Sequence, residues 1–101
     1  MNKGNLINKI AENADLNKAQ ATEALNATLE AISNSLIDGE KVTLVGFGTF
    51  LPEYRKARIG RNPKTKEEIP IPEKIVVKFK PGKDLAEAVD TEELVEQLRR
   101  K

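Results

Sequence analysis

The stretch RIGRNPKTKEEIPIP, residues 58–72, constrains the fold more than any other part of the sequence. Apart from proline it has no apolar side chain between Ile59 and Ile69, but it separates two segments that read as β-strands. Two strands on either side of a polar segment predict an antiparallel hairpin. If each side has about ten residues, the ribbon reaches roughly 30 Å at about 3.3 Å per residue. We therefore expect an arm, about residues 55–74, that projects from the domain.

Charge is concentrated in this arm. Residues 55–66 hold six cations and no acid, so 11 of the 17 cations share the rest of the chain with all 16 acids, which leaves that part at −5. A second acid-free run extends from Lys74 to Lys83, whereas residues 84–96 carry six acids. Charge separated in this way favours a polyanion-binding face. A basic loop that only keeps the protein soluble is the alternative reading of the same pattern.

Composition argues against an enzyme. The 101-residue chain has no cysteine and no histidine, which removes disulfides, thiolate chemistry and the usual metal ligand and general base near neutral pH. The acids are scattered over the predicted helices, and neither a nucleophile with an adjacent base nor a phosphate-binding loop occurs. We expect no catalytic residue, no metal, no cofactor and no small-molecule substrate.

The sequence also lacks signals for membrane insertion or export. The N-terminal MNKGNLINKI has no apolar core of a signal peptide, and no run approaches the roughly 18 apolar residues of a membrane span. We expect a cytoplasmic protein that makes no contact with membranes.

Two helices are predicted at the N-terminus. Apolar residues recur at helical spacing over residues 3–14, which favours a short amphipathic helix. A second, longer helix starts at Asn17, because Gln20 follows three residues later in a capping-box arrangement. It should end at Asp38 and Gly39, where glycine can adopt the left-handed conformation. The two helices form an αα-hairpin.

Three strands and two further helical segments are predicted after the hairpin. The strands are KVTLV (41–45), TFLPEYRKAR (49–58) and KIVVKF (74–79), and KDLAEAV (83–89) begins a helix. The last segment, 91–101, starts with a hydroxyl cap at Thr91 followed by two acids, which favours another helix. Its apolar residues do not continue the stripe of Leu85 and Val89. We expect a short separate helix, or a turned continuation, that packs on its own chain or on a partner.

The chain is small for a self-sufficient core. Without the arm and the last eleven residues, about seventy residues remain, a size at which burial barely offsets chain entropy. We expect dimerisation to complete the core. Phe47, Phe50 and Phe79 each lie in an apolar run, so they are predicted to be core or dimer-interface residues rather than groups that stack on bases.

These segments together resemble a known family. KVTLVGFGTF, an arm containing GRNPKT, and IPIPEKIVVKFKPGK occur in this order behind a helical hairpin. This is similar to the bacterial histone-like DNA-binding proteins, the HU and integration host factor family. Over residues 1–90 the resemblance implies an α+β fold: a helical hairpin, a three-stranded antiparallel sheet with a long β-ribbon arm, and a C-terminal helix, in an intertwined dimer. It implies a nucleoid-associated protein that bends DNA and organises or compacts the chromosome. Residues 91–101 are an extension.

The resemblance also implies individual roles. Pro63 matches the arm-tip proline that wedges between base pairs, and Arg61 and Asn62 match the flanking minor-groove contacts. The expected contacts to phosphates and groove along the arm are Arg55, Arg58, Lys64 and Lys66, and those on the dimer saddle are Lys3, Lys80 and Lys83. Lys66 departs from the family pattern, because many members have glycine there and glycine tolerates a left-handed turn better.

The expected partner is double-stranded DNA, especially bent, nicked or flexible DNA, bound by a homodimer. Two alternatives remain open. The same scaffold could bind RNA or a protein, or the chain could be one subunit of a site-specific heterodimer. The minor groove presents a degenerate code, so side chains alone do not separate sequence-specific from non-specific binding.

Overall fold

The computed structural model describes residues 1–100 of the chain, as four helices and five strands. The elements are α1 (Lys3–Asn13), α2 (Lys18–Ile37), β1 (Val42–Leu44), β2 (Gly48–Arg55), β3 (Arg58–Arg61), β4 (Glu68–Ile71), β5 (Lys74–Pro81), α3 (Lys83–Val89) and α4 (Glu92–Arg99). An antiparallel sheet has the strand order β1-β2-β5, and β3 and β4 form a separate two-stranded sheet. The expected α+β architecture is confirmed.

The helix ends follow from local hydrogen bonding. The backbone N–H of Gln20 donates to the Asn17 side chain at 2.8 Å, and the Asn17 N–H donates back to the Gln20 side chain at 3.0 Å, as predicted. The same reciprocal cap joins Asn2 and Asn5 at the start of α1, where none was predicted. Helix α2 stops at Asp38, and Gly39 follows in the left-handed region with φ 83°.

The core within one chain is small. Only Ile7, Ala21 and Leu25 are buried apolar residues among those described, with Ile10 and Ala11 packed against them. The accessible surface is 8660 Å², whereas a compact monomer of this length exposes roughly 5,700 Å². The radius of gyration is 18.9 Å, against about 13 Å for a compact domain. A single chain therefore leaves much of its apolar surface uncovered.

The three-stranded sheet has one apolar face and one mostly polar face, on which Leu51 and Val76 are the apolar exceptions. Because side chains alternate along a strand, the register places the pairs Phe50 with Phe79, Pro52 with Val77, and Tyr54 with Ile75 on one face. Helix α2 lies over part of this apolar face and forms an open groove whose lining includes Leu36, Ile37, Pro52, Ile75 and Val77. Ile37 is 80% exposed and Val77 is 65% exposed, so α2 covers only part of the face.

The three phenylalanines form one cluster at the edge of this apolar face. The ring of Phe79 lies 5.4 Å from that of Phe47 and 4.8 Å from that of Phe50, measured between centroids. Phe47 is 47% exposed, and the other two are half-buried. Burial of this cluster by a second chain stays a prediction.

The arm differs from the expected continuous ribbon. The second strand was expected to run over residues 49–58, but β2 ends at Arg55 and pairing resumes only at Arg58; on the return side, pairing pauses at Pro72 and Glu73. Prolines lack the amide donor that a ladder needs, and Pro70 and Pro72 both lie near this pause. The arm is therefore a separate short sheet joined to the body by a two-residue break on each side.

Helix α4 is separate from α3, one of the two forms expected for residues 91–101. Thr91 caps it, with its hydroxyl oxygen accepting the Leu94 N–H at 3.2 Å. Val95 is 47% exposed and Leu98 is 54% exposed, so the apolar side of α4 is not covered within one chain. Among residues 1–100, no helix combines the length and hydropathy needed to cross a bilayer.

Candidate nucleic-acid interface

The arm presents exposed cations on a ribbon without a core. Its register pairs Arg58 with Ile71, Ile59 with Pro70, Gly60 with Ile69, and Arg61 with Glu68. All six cations of residues 55–66 are exposed. Arg55 alone among them makes an ion pair in the described part of the chain, with Glu53 at 3.5 Å. The other five can approach a phosphate without first breaking an ion pair.

The arm tip is a loop closed by hydrogen bonds from both sides. The Asn62 N–H donates to the Glu67 carbonyl at 3.0 Å, and the Lys66 N–H donates to the Asn62 carbonyl at 2.8 Å. The Asn62 side-chain oxygen accepts the Lys64 N–H at 2.8 Å and the Thr65 N–H at 3.4 Å. Pro63 is exposed at this tip. The loop thus holds its proline outward, away from the paired strands.

Lys66 occupies the position where the tip requires a left-handed backbone. Its φ is 62°, and it shares this unusual conformation with only one other non-glycine residue of residues 1–100, Asp15. A non-glycine residue in this region costs about 1–2 kcal/mol. Lysine in place of glycine therefore adds strain and a positive charge to a left-handed position of the tip.

The predicted saddle residues lie on different elements. Lys80 pairs in register with Thr49 on the polar face of the three-stranded sheet, and Lys83 begins α3 directly after Gly82. The Gly82 N–H donates to the Phe47 carbonyl at 2.8 Å, which holds the start of α3 against the β1–β2 turn. Lys3 is exposed in the first turn of α1. The chain thus brings Lys80 and Lys83 to one end of the sheet and leaves Lys3 on the helical hairpin.

Two cations of the same face were missing from the predicted site. Lys74 and Lys78 stand at even spacings from Lys80 along β5, so they share its face, with Val76 between them. The spacing of the lysines in KIVVKFK could have identified them. Lys78 lies 3.7 Å from Glu53, which also pairs with Arg55, so this carboxylate offsets part of the positive charge where the body meets the arm.

One hydrogen bond links the body sheet to the root of the arm. The Tyr54 hydroxyl, on β2, donates to the carboxylate of Glu73, in the break between β4 and β5, at 2.6 Å. This bond, with a smaller contribution from partial desolvation, raises the pKa of Tyr54 above its usual value of 10.0. The bond ties one residue of the break to the body sheet and so restrains the root of the arm.

Comparisons with known proteins match most of the chain. The model of a family described as bacterial DNA-binding protein matches residues 1–90. DNA-binding protein HU of Staphylococcus aureus (strain COL) is 55% identical over 89 residues, which are 88% of this chain and 99% of the relative. DNA-binding protein HU-1 of Halalkalibacterium halodurans is 52% identical over 90 residues, 89% of this chain and 100% of the relative. Residues 91–101 lie beyond the family match.

Solved structures give the same result. An Anabaena HU–DNA cocrystal structure matches with a TM-score of 0.82 and 50% identity, covering 89% of this chain and 98% of that chain. HU from Thermotoga maritima matches with a TM-score of 0.63 and 37% identity, covering 89% of this chain and 100% of that chain.

Proposed function

The chain belongs to the bacterial DNA-binding protein family, with HU proteins among its relatives, and from this premise we propose that it is an architectural protein that binds and bends double-stranded DNA. The observation that supports this most directly is the arm, a ribbon of exposed and mostly unpaired cations with no apolar core of its own. A two-stranded ribbon is marginally stable by itself. A polyanion along its length supplies both the counter-charge and the surface that it lacks.

The arm acts in the minor groove. Arg55, Arg58, Lys64 and Lys66 neutralise phosphates along the arm, and Arg61 and Asn62 lie beside the groove at the tip. Pro63 inserts between base pairs, since it is an exposed apolar ring at the end of the ribbon. Such insertion costs a few kcal/mol of unstacking per step, which is recovered when the bent duplex contacts more protein.

The body receives the bent flanks of the DNA. Lys80 and Lys83 lie at one end of the sheet, and with Lys3 they form the saddle that holds the phosphate backbone. Lys74 and Lys78 extend the same positive face toward the arm. Wedge and saddle are coupled, because only a bent duplex reaches both.

The functional unit is a homodimer. One chain buries three apolar residues and exposes far more surface than a compact monomer of its length. Phe47, Phe50 and Phe79 lie at the uncovered edge of the apolar sheet face, where a second chain completes the core. Two chains supply two arms, which can grip one duplex from both sides.

The protein works without catalysis. Its family is described as bacterial DNA-binding protein, and the proposed contacts to DNA are electrostatic and steric. It acts in the cytoplasm, on the nucleoid, where binding along the chromosome organises and compacts the DNA.

The test is a comparison of intact and nicked duplexes. Each phosphate contact adds about −0.9 to the slope of log affinity against log salt concentration, so we expect a steep salt dependence. Pro63→Ala should lower the bend angle, measured by energy transfer between end-labelled duplexes, and should weaken binding to intact duplex more than to nicked duplex, in which unstacking is less costly. Lys83→Ala should weaken both and reduce the salt slope by about 1.

Three results would redirect the proposal. A slope of log affinity against log salt near zero would contradict the proposal that the protein binds DNA by neutralising its phosphates. Tighter binding to duplex RNA than to nicked DNA would favour an RNA-binding role for the scaffold. A preference of about a thousandfold for one DNA site over random duplexes would favour a subunit of a site-specific complex over a non-specific homodimer.

A further inference from the structure

The side chain of Asn62 is already engaged inside the arm tip. Its carboxamide oxygen accepts the Lys64 N–H at 2.8 Å, a well-formed hydrogen bond, and the Thr65 N–H at a longer 3.4 Å. Asn62 is also half-buried, whereas its neighbours Arg61 and Pro63 are exposed. The group that the family pattern would assign to the DNA groove is therefore directed, in the free protein, at the backbone of its own loop.

These bonds restrain the backbone on both sides of Pro63. The residue before the proline is tied through its side chain to the two amides that follow the proline, and through its backbone to Lys66 and Glu67. Asn and Asp side chains commonly stabilise turns by accepting backbone N–H groups two or three residues ahead. The backbone of Pro63 is part of this hydrogen-bonded loop and its ring is exposed, so the direction of the ring depends on Asn62.

Backbone strain favours opening of the loop when the Asn62 side chain is lost. Lys66 holds a left-handed backbone with φ 62°, which is strained for a side chain other than glycine. Every residue from Pro63 to Glu68 is exposed, so no packing holds the turn in place. Hydrogen bonds are the remaining restraint on the tip, and those of the Asn62 side chain act directly on the residues after the proline.

We infer that Asn62 is a positioning residue for the Pro63 wedge, which it orients before DNA arrives. This role rests on the proposed function and deepens it. A preorganised wedge binds more tightly because the ordering of the loop does not have to occur during binding. Asn62 thereby raises the affinity for intact duplex, where the wedge must separate stacked bases, more than the affinity for nicked duplex.

The test compares three full-length variants. Asn62→Ala removes the acceptor, Asn62→Asp keeps an acceptor oxygen in the same place, and Arg61→Ala removes a neighbouring exposed side chain that takes no part in the loop. The first measurement is the NMR order parameter of the Lys64 and Thr65 amides in the free protein. We expect it to fall in Asn62→Ala and to stay at its wild-type value in Asn62→Asp and in Arg61→Ala.

The second measurement is affinity for intact and nicked duplexes together with the bend angle. Asn62→Ala should weaken intact-duplex binding about fivefold, the size expected for one lost hydrogen bond, should weaken nicked-duplex binding less, and should lower the bend angle. Arg61→Ala should weaken both duplexes by the same factor, since it removes a contact and not the wedge geometry.

Unchanged order parameters in Asn62→Ala would overturn the inference, and so would an equal loss on both duplexes, which would make Asn62 a groove contact like Arg61. Failure of the wedge itself gives a different pattern. If Pro63→Ala leaves the intact-to-nicked ratio unchanged, the proposed bending mechanism fails and the positioning role fails with it. If Pro63→Ala changes that ratio and Asn62→Ala does not, only the inference about Asn62 is lost.

Discussion

The body and the arm of this chain are built on opposite principles. The body, formed by the helical hairpin and the three-stranded sheet, has one apolar sheet face, an aromatic cluster and the few buried side chains of the chain. The arm has four register pairs, and most of its side chains are exposed. Side-chain packing therefore determines the structure of the body, whereas turn geometry and charge determine the properties of the arm. Stability and DNA binding should respond to mutations in different regions.

Two glycines illustrate this contrast. A Cβ at Gly48, in the body, would lie 2.6 Å from the Phe79 ring and 2.6 Å from the Lys80 carbonyl oxygen, neither of which can move freely. A Cβ at Gly60, in the arm, would lie 2.8 Å from Cδ1 of Ile71, the far end of a flexible side chain. The same residue type is thus required by packing in one region and tolerant of change in the other.

The largest effect should come from removing the arm altogether. Arg55 and Lys74 are register partners at the end of the body sheet, so replacing residues 56–73 by Asn-Gly closes a two-residue hairpin there. We expect affinity for DNA to fall on the order of a thousandfold, measured by fluorescence anisotropy, while the far-ultraviolet circular dichroism melt shifts by only a few degrees. A variant that unfolds at room temperature would show that the arm contributes to the fold of the body.

The next largest effect is a difference in stability between alanine substitutions at the two glycines. Gly48→Ala should lower the free energy of unfolding by about 2–3 kcal/mol, because it overpacks the sheet against Phe79. Gly60→Ala is the matched control and should change it by less than about 0.5 kcal/mol. Chemical denaturation of both variants measures the difference. Equal losses would contradict the view that close packing is confined to the body.

A smaller effect concerns the uncovered apolar face. If a second chain covers it, unfolding and dissociation are one event, and each tenfold rise in protein concentration should raise the melting temperature by about 4 °C for two chains of this size. Calorimetry over a hundredfold range of concentration measures this shift. A melt independent of concentration, with a monomeric mass in sedimentation, would mean that the body is stable alone.

The smallest effect lies at the junction of the two regions. The hydrogen bond to Glu73, and secondarily partial desolvation, raise the pKa of Tyr54 above 10.0. The raised pKa favours the neutral phenol in the folded state, so this contribution to stability is present below pH 10 and is lost as the pH rises through the raised pKa. Tyr54 is the single tyrosine and the chain has no tryptophan, so phenolate absorbance reports it directly.

Glu73→Ala should return the pKa of Tyr54 toward about 10. Glu53→Ala is the control, because the Glu53 carboxylate pairs with Arg55 and Lys78 and is not the acceptor of the Tyr54 hydroxyl. If both variants shift the Tyr54 titration equally, the loss of a nearby negative charge, and not the Tyr54–Glu73 hydrogen bond, sets the pKa of Tyr54.

Much of the local structure could be predicted from the sequence. The capping box at Asn17, the end of α2 at Gly39 and the start of α3 each depend on a few consecutive residues, and the structure contains all of them. The strand alternation likewise predicted the sheet and the arm. The resemblance to the HU family, carried by motifs over residues 1–90, is confirmed by the family match. The DNA contacts that this resemblance implied stay proposals.

What the sequence determined is the set of elements, because caps, turns and alternating strands arise from contacts between residues a few positions apart. Only the tertiary structure decided the rest: the break that separates the arm from the body sheet, the hydrogen bond from Tyr54 to Glu73, and the hydrogen bonds of the Asn62 side chain around Pro63. The first two involve residues up to about twenty positions apart, and strand register sets which of them meet. The third is local, but several turns suit the same six residues, and the pairing of Arg61 with Glu68 selects the one in which the Asn62 side chain reaches the amides beyond the proline.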